Sequence, residues 1–316
     1  MEIKYIIVFL VALLIGLAVS LPTIIFCKKL KLKQTTLHYV EKHSQKSGTP
    51  TMGGVIFIFA SILASFWFFS GNLMEGWLCL LVMLAYGVLG FLDDFIKVRF
   101  HQNEGLKPYQ KVIGQLGIAI IMSLYVYFNI GTSIDFFGLS LNLGAFIIPF
   151  IILIFIATTN SVNLTDGLDG LAGGVSFVYL LFFGAIVALS GQSNLAIVCF
   201  AMTGAILSFL AVNTYPAKIF MGDTGSLALG GLIASVTCLS GKIFLLPIIG
   251  LMFVLSALSD IIQVLHYKRT RKRVFLMAPL HHHFEQKGVH ENRIVIIYIV
   301  MTTILGALCL CLELVF

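Results

Sequence analysis

Charge is what this sequence is short of. Asp, Glu, Lys and Arg make up 11% of its 316 residues, against about a quarter in soluble domains. That excludes an ordinary soluble fold, and a hydrophobic fraction of 59% with a mean hydropathy of +1.02 places the chain in a bilayer. The apolar runs lack the alternation of membrane-barrel strands, which leaves helices. The six cysteines lie in or beside apolar runs without Cys-x-x-Cys spacing. A disulfide framework and a cysteine zinc site are therefore not expected, and the thiols read as small core hydrophobes. No glycine-rich loop closes on a lysine as a P-loop does. No nucleic-acid fold signature accompanies the basic residues, so nucleic acid is not an expected partner.

What is present is a series of apolar runs with polar breaks between them. Ten spans are expected, at roughly 3–26, 52–70, 76–99, 110–129, 144–159, 168–190, 194–212, 225–241, 243–266 and 293–314. The first run, Ile6 to Phe26, is too long for a signal-peptide core and reads as a retained anchor. The polar interval Gly131–Asn142 reads as a small hairpin outside the membrane. The expected fold is thus an all-α integral membrane protein, residues 1–316 forming one polytopic unit of about ten transmembrane helices. Ten spans put the loops 27–51, 100–109, 160–167, 213–224 and 267–292 on one side. With their flanking helix ends these carry eighteen of the twenty Lys and Arg residues, leaving Lys4 and Lys242. Basic residues collect on the cytoplasmic side. Both termini are therefore expected outside the cytoplasm. Lys28–Lys33 and Lys268–Arg273 read mainly as headgroup anchors to membrane lipid.

The same five loops hold nearly all the unusual polar clusters, so the working face is expected to be cytoplasmic. Gly90-Phe-Leu-Asp-Asp-Phe-Ile-Lys97 sets Asp93 and Asp94 side by side at the end of an apolar run. Adjacent acids there call for water, a partner or a divalent cation. A plain solvated helix end, with Lys97 neutralising Asp93 at i+4, is the competing reading. Lys46-Ser-Gly-Thr-Pro-Thr-Met-Gly-Gly54 suits a tight turn able to approach a phosphate, or a simple helix entry. Asn160-Ser-Val-Asn-Leu-Thr-Asp-Gly-Leu-Asp-Gly170 crowds Asn160, Asn163, Thr165, Asp166 and Asp169 at a helix entrance, more than capping requires. In Asn213-Thr-Tyr-Pro-Ala-Lys-Ile-Phe-Met-Gly-Asp-Thr-Gly-Ser226, Asp223 stands at the mouth of a helix whose amides suit a phosphate. It could hold magnesium bridging that phosphate. His281, His282 and His283 cannot all face one way on a helix or strand, so they read as donors to sugar or phosphate oxygens rather than as a zinc site. Acids for a cation, lysines and helix ends for phosphates, all beneath a lipid-facing bundle, imply phosphoryl transfer to a lipid-linked acceptor.

Gly48–Gly54, Leu92–Lys97, Asn160–Gly174, Asn213–Gly225 and Pro279–Glu285, in this order, resemble the polyprenyl-phosphate N-acetylhexosamine-1-phosphate transferase superfamily. Pro279-Leu-His-His-His-Phe-Glu285 is similar to the branch that transfers phospho-N-acetylmuramoyl-pentapeptide. The resemblance implies transfer from UDP-N-acetylmuramoyl-pentapeptide to undecaprenyl phosphate, giving lipid I and UMP, with Mg2+ as cofactor. It implies a ten-helix homodimer in the bacterial cytoplasmic membrane. By motif position, Asp93 and Asp94 are implied to activate the lipid phosphate, with Asp93 the favoured general base, and Asp223 to be the main magnesium ligand. Lys46, Thr51, Asn163, Asp169, Asn213 and Phe220 are implied to line the uridine and pyrophosphate pocket, Lys97 to meet phosphate, and His281, His282 and His283 to face the amino sugar. Asp166 stays open between pocket and metal. The alternative within the superfamily is transfer from UDP-N-acetylglucosamine for another glycan. A lipid transporter would want acids at mid-span and internal repeats, whereas Asp260 alone lies well inside a span.

Overall fold

The computed structural model describes residues 2–30, 48–71, 73–100, 105–136 and 139–315. Twelve α-helices occur among them: α1 (Ile3–Lys29), α2 (Gly54–Phe66), α3 (Met74–Arg99), α4 (Pro108–Tyr125), α5 (Ile147–Thr165), α6 (Leu171–Leu189), α7 (Ser193–Asn213), α8 (Gly222–Ser240), α9 (Leu245–Ile249), α10 (Leu251–Thr270), α11 (Leu280–Gln286) and α12 (Glu291–Val315). Nine of these helical stretches are long and apolar enough to cross a membrane. The expected second span is different. Its helix α2 has 13 residues, about 20 Å at 1.5 Å per residue, short of the ~30 Å hydrocarbon core. The expected ninth span is also divided, with α9 stopping before Gly250 and α10 beginning at Leu251.

α8 is the axis of the bundle. Its apolar window is 89% buried, against 22% for α1 and 28% for α12, whose outer faces present side chains such as Leu14, Leu21 and Ile304. α3, α5 and α2 pack on α8, and α7 packs on α1, α2 and α6. Small residues make these approaches possible, as in membrane bundles generally. A Cβ on Gly90 of α3 would stand 2.1 Å from the carbonyl oxygen of Asp223. The two acid-bearing segments therefore meet backbone to backbone.

The expected hairpin is present. β1 (Ser133–Phe136) pairs antiparallel with β2 (Leu139–Asn142), Ser133 opposite Asn142. The Asp135 amide donates to the Gly241 carbonyl at 3.2 Å, so the hairpin sits at the C-terminal end of α8. Asp223 occupies the first turn of the same 19-residue helix. The two ends are about 28 Å apart, close to the thickness of the hydrocarbon core.

Candidate active site

Helix α5 continues through Thr165, so Asn160 and Asn163 belong to its last turns and not to a loop. Hydroxyl bonds from Ser161 to the Ala157 carbonyl (2.6 Å) and from Thr165 to the Ser161 carbonyl (2.8 Å) accompany the continuing helix. Neither Asn163 nor Asp166 caps α6, which starts after a left-handed Gly170. Instead Asn163 reaches across to α8, its Nδ2 donating to Asp223 Oδ1 at 3.0 Å and to Ser226 Oγ at 2.8 Å. One turn earlier Asn160 Nδ2 donates to Gln115 Oε1 at 2.8 Å, which fastens α5 to α4.

Asp93, Asp94 and Asp223 converge at the N-terminal end of α8, offering oxygens that all lie within 4.8 Å of one another. The two adjacent acids have different partners. Asp94 accepts the backbone amides of Asp223 (3.1 Å) and Thr224 (2.9 Å) and the Thr224 hydroxyl (2.7 Å). It therefore caps α8 from another helix, satisfying amides left open at a helix start. The phosphate expected at those two amides meets Asp94 there already. Gly222 has φ +74°, and a Cβ on it would stand 2.5 Å from Asp94 Oδ2 and 2.8 Å from Thr51 Oγ1. Only glycine fits that seat.

Asp93 is fully buried and takes its partners from lysines. Lys97 Nζ lies 2.6 Å from Asp93 Oδ2 and 3.2 Å from Asp223 Oδ2. Lys111 Nζ, from the first turns of α4, lies 3.0 Å from Asp93 Oδ1 and 2.7 Å from Asp223 Oδ2. The Leu106 amide donates to Asp93 Oδ1 at 2.8 Å. Two carboxylates, Asp93 and Asp223, thus face two ammonium groups, while Asp94 is turned to the start of α8. Sequence reading missed Lys111 as a site residue. A signal was available, because a lysine near a helix N-terminus opposes the helix dipole and is best explained by an acidic partner.

The remaining expected residues surround this cluster. Thr51 is buried beside Gly222, and its segment is tied down by bonds from the Phe220 amide to the Pro50 carbonyl and from the Gly53 amide to the Phe220 carbonyl, both 2.8 Å. Asp169 Oδ2 accepts the Ala217 amide at 3.0 Å. Asn213 accepts the Gly170 amide at 3.0 Å and donates to the Ile219 carbonyl at 2.8 Å. Asp169, Asn213 and Phe220 therefore shape the loop that delivers Asp223. Burial, and behind it the charges of Asp223, Asp94 and Asp169, push the Asp166 carboxyl well above its ordinary range. Lys46 lies outside the described residues.

The three histidines diverge around α11, as their spacing requires. His281 is fully buried, both ring nitrogens lack a hydrogen-bond partner among the described residues, and its Nε2 lies 2.3 Å from where a Cβ on Gly167 would be. Burial, then the neighbouring His282, hold its pKa down to about 3. His282 Nδ1 pairs with Glu285 at 2.9 Å, and His283 Nδ1 accepts the Leu276 amide at 3.1 Å.

Residues 76–241 match the glycosyl transferase family 4 model, and residues 46–58 match phospho-N-acetylmuramoyl-pentapeptide-transferase signature 1. The phospho-N-acetylmuramoyl-pentapeptide-transferase of Thermoanaerobacter sp. (strain X514) is 45% identical over 304 residues, which cover 95% of this chain and 96% of the relative. The chain belongs to the phospho-N-acetylmuramoyl-pentapeptide-transferase family. Relatives bearing the same name in Clostridium novyi (strain NT) and Clostridium perfringens (strain 13 / Type A) are 46% and 44% identical. They cover 84% and 94% of this chain, and 83% and 93% of their own lengths. Within this transferase family match, the acids, both lysines and Asn163 all fall inside residues 76–241.

Proposed function

We propose that the acid–lysine cluster is the centre at which phospho-N-acetylmuramoyl-pentapeptide passes from its UDP carrier to undecaprenyl phosphate, giving lipid I and UMP. The single observation that carries this reading is the convergence of Asp93, Asp94 and Asp223 with Lys97 and Lys111 at the end of a membrane helix. Such a site neutralises phosphate charge where a lipid headgroup can reach it. The basic loops favour the cytoplasmic face of the bacterial membrane, with both termini on the other side. A homodimer follows from the family resemblance.

The donor set fits Mg2+, a hard cation that takes one or two carboxylates and completes its shell with water and phosphate oxygens. Asp223 would hold it, with Asp93 alongside, and when bound it would offset the charge of the diphosphate. Asp94 keeps α8 capped and so fixes where Asp223 stands. A lipid phosphate oxygen attacks the β-phosphorus. The bond between that phosphorus and the bridging oxygen breaks, and UMP leaves with the electron pair. Where the attacking phosphate carries a proton, Asp93 accepts it. Lys97 and Lys111 occupy both Asp93 oxygens in this structure, so its service as a base requires those lysines to turn towards the diphosphate. Thr51, Asn163, Asp169, Asn213 and Phe220 line the nucleotide side. His282 and His283 face the amino sugar, while buried His281 supports the Asp166–Gly167 turn.

Purified protein with undecaprenyl phosphate and Mg2+ should release UMP from UDP-N-acetylmuramoyl-pentapeptide and not from UDP-N-acetylglucosamine. The reverse preference would transfer the assignment to a glycan-priming enzyme of the same superfamily. A labelled phospho-aspartate formed from nucleotide sugar without lipid would replace direct attack by a two-step route.

A further inference from the structure

The oxygens on which a cation would settle already have partners. Asn163 holds Asp223 Oδ1, Lys97 and Lys111 share Asp223 Oδ2, and the Leu106 amide with Lys111 holds Asp93 Oδ1. Asp94 is committed to the amides of α8. A Mg2+ bound to Asp223 Oδ2 at its usual ~2.1 Å would stand only about 4 Å from an ammonium on the same oxygen, and the two would repel strongly. One lysine has to leave.

The two are not equivalent. Lys97 lies on the same helix as Asp93, one turn on, and is held more closely by it (2.6 Å) than by Asp223 (3.2 Å). Lys111 is closer to Asp223 (2.7 Å) than to Asp93 (3.0 Å), and it stands near the positive end of α4, where a cation is disfavoured without its acid. Resting on the magnesium reading above, we propose that Lys111 is the resident counter-cation of Asp223, and that a divalent cation binds by displacing it and freeing its ammonium for the diphosphate. The exchange keeps the carboxylates compensated in the resting protein and delivers a phosphate-binding lysine only once the metal has arrived.

The test uses Mn2+ as probe, with purified full-length protein in nanodiscs without nucleotide sugar, and reads bound Mn2+ by electron paramagnetic resonance. Lys111→Met should bind Mn2+ more tightly than wild type, on the order of tenfold, because the competing charge is gone. Asp223→Asn should lose binding. In the wild-type protein, which needs no substitution to fold, acetylation of Lys111 followed by mass spectrometry should rise several-fold on adding Mg2+, while Lys97 changes less. Equal or weaker Mn2+ binding by Lys111→Met, or Lys111 acetylation indifferent to Mg2+, overturns the exchange and leaves an Asp223-dependent metal site standing. Absence of Mn2+ binding in every form removes both the exchange and the metal reading.

Discussion

Asp93 and Asp94 are chemically identical neighbours with separate duties, and the division follows from helix geometry. Successive side chains on α3 diverge by about 100°, so one carboxylate faces the lysines while the other meets the start of α8. Asp94→Ala would leave two amides and a hydroxyl unpaired in a buried place. We expect a loss of about 2 kcal/mol of stability, seen as a fall of several degrees in thermal unfolding in detergent, with Asp94→Asn falling less because it keeps an acceptor. An unchanged midpoint in Asp94→Ala would show that the cap contributes nothing. His281 supplies a pH dependence. Its folded pKa, about 3, lies below the usual value near 6.5. Between these values the unfolded chain binds the extra proton, so this stability contribution is complete above about pH 6.5 and is lost as pH falls towards 3. The unfolding midpoint of His281→Phe, compared with wild type at pH 7 and at pH 4.5, should gain relative ground at the lower pH. Parallel behaviour at both would mean that His281 is not the titrating group.

The elements were legible in the sequence to different degrees, and the reasons are physical. Long apolar runs announce themselves by composition, which is why the stretches that became α1, α3, α6, α7 and α12 could be located closely. α2 was overdrawn because Trp67, Phe68 and Phe69 prolong its apolar run beyond the helix end at Phe66. The end of α5 was cut short because Asn160, Ser161 and Asn163 look like loop residues. Their side chains instead satisfy the helix itself or reach Gln115 and Asp223. The acids were legible because carboxylates beside lipid demand a reason. Lys111 was not, since its partners are 18 and 112 positions away on other helices. Gly90 is the residue where packing and chemistry meet. Gly90→Ala would force α3 away from the Asp223 carbonyl, with a cost of about 1–3 kcal/mol for overpacking. It should also separate Asp93 from Asp223, lowering UMP release more than tenfold even in protein that still folds. Wild-type release from a stable Gly90→Ala protein would mean the site tolerates a shifted α3.

Across the whole molecule, α8 separates two polar clusters of different character. At its N-terminal end lie the three acids with Lys97 and Lys111. At its C-terminal end Lys242, nearly buried, pairs with Glu313 at the end of α12 and lies 3.5 Å from Asp135 of the hairpin. The second cluster joins three chain segments around the single Lys242 ammonium, which suits a brace. Because Lys242 is so engaged, it adds little to the field of its side, and the exposed Lys268, Arg269, Arg271, Lys272 and Arg273 dominate the charge asymmetry. That asymmetry predicts one orientation. In spheroplasts expressing protein with exposed Cys311 replaced by serine, Ser140→Cys on the hairpin should react at once with a membrane-impermeant maleimide. Arg271→Cys should react only after permeabilisation. Immediate labelling at position 271 would put the acid–lysine cluster on the outer face, away from cytosolic nucleotide sugars, and labelling of both positions before permeabilisation would place two ends of the bundle on one side of the bilayer, which an α8 of about 28 Å does not allow.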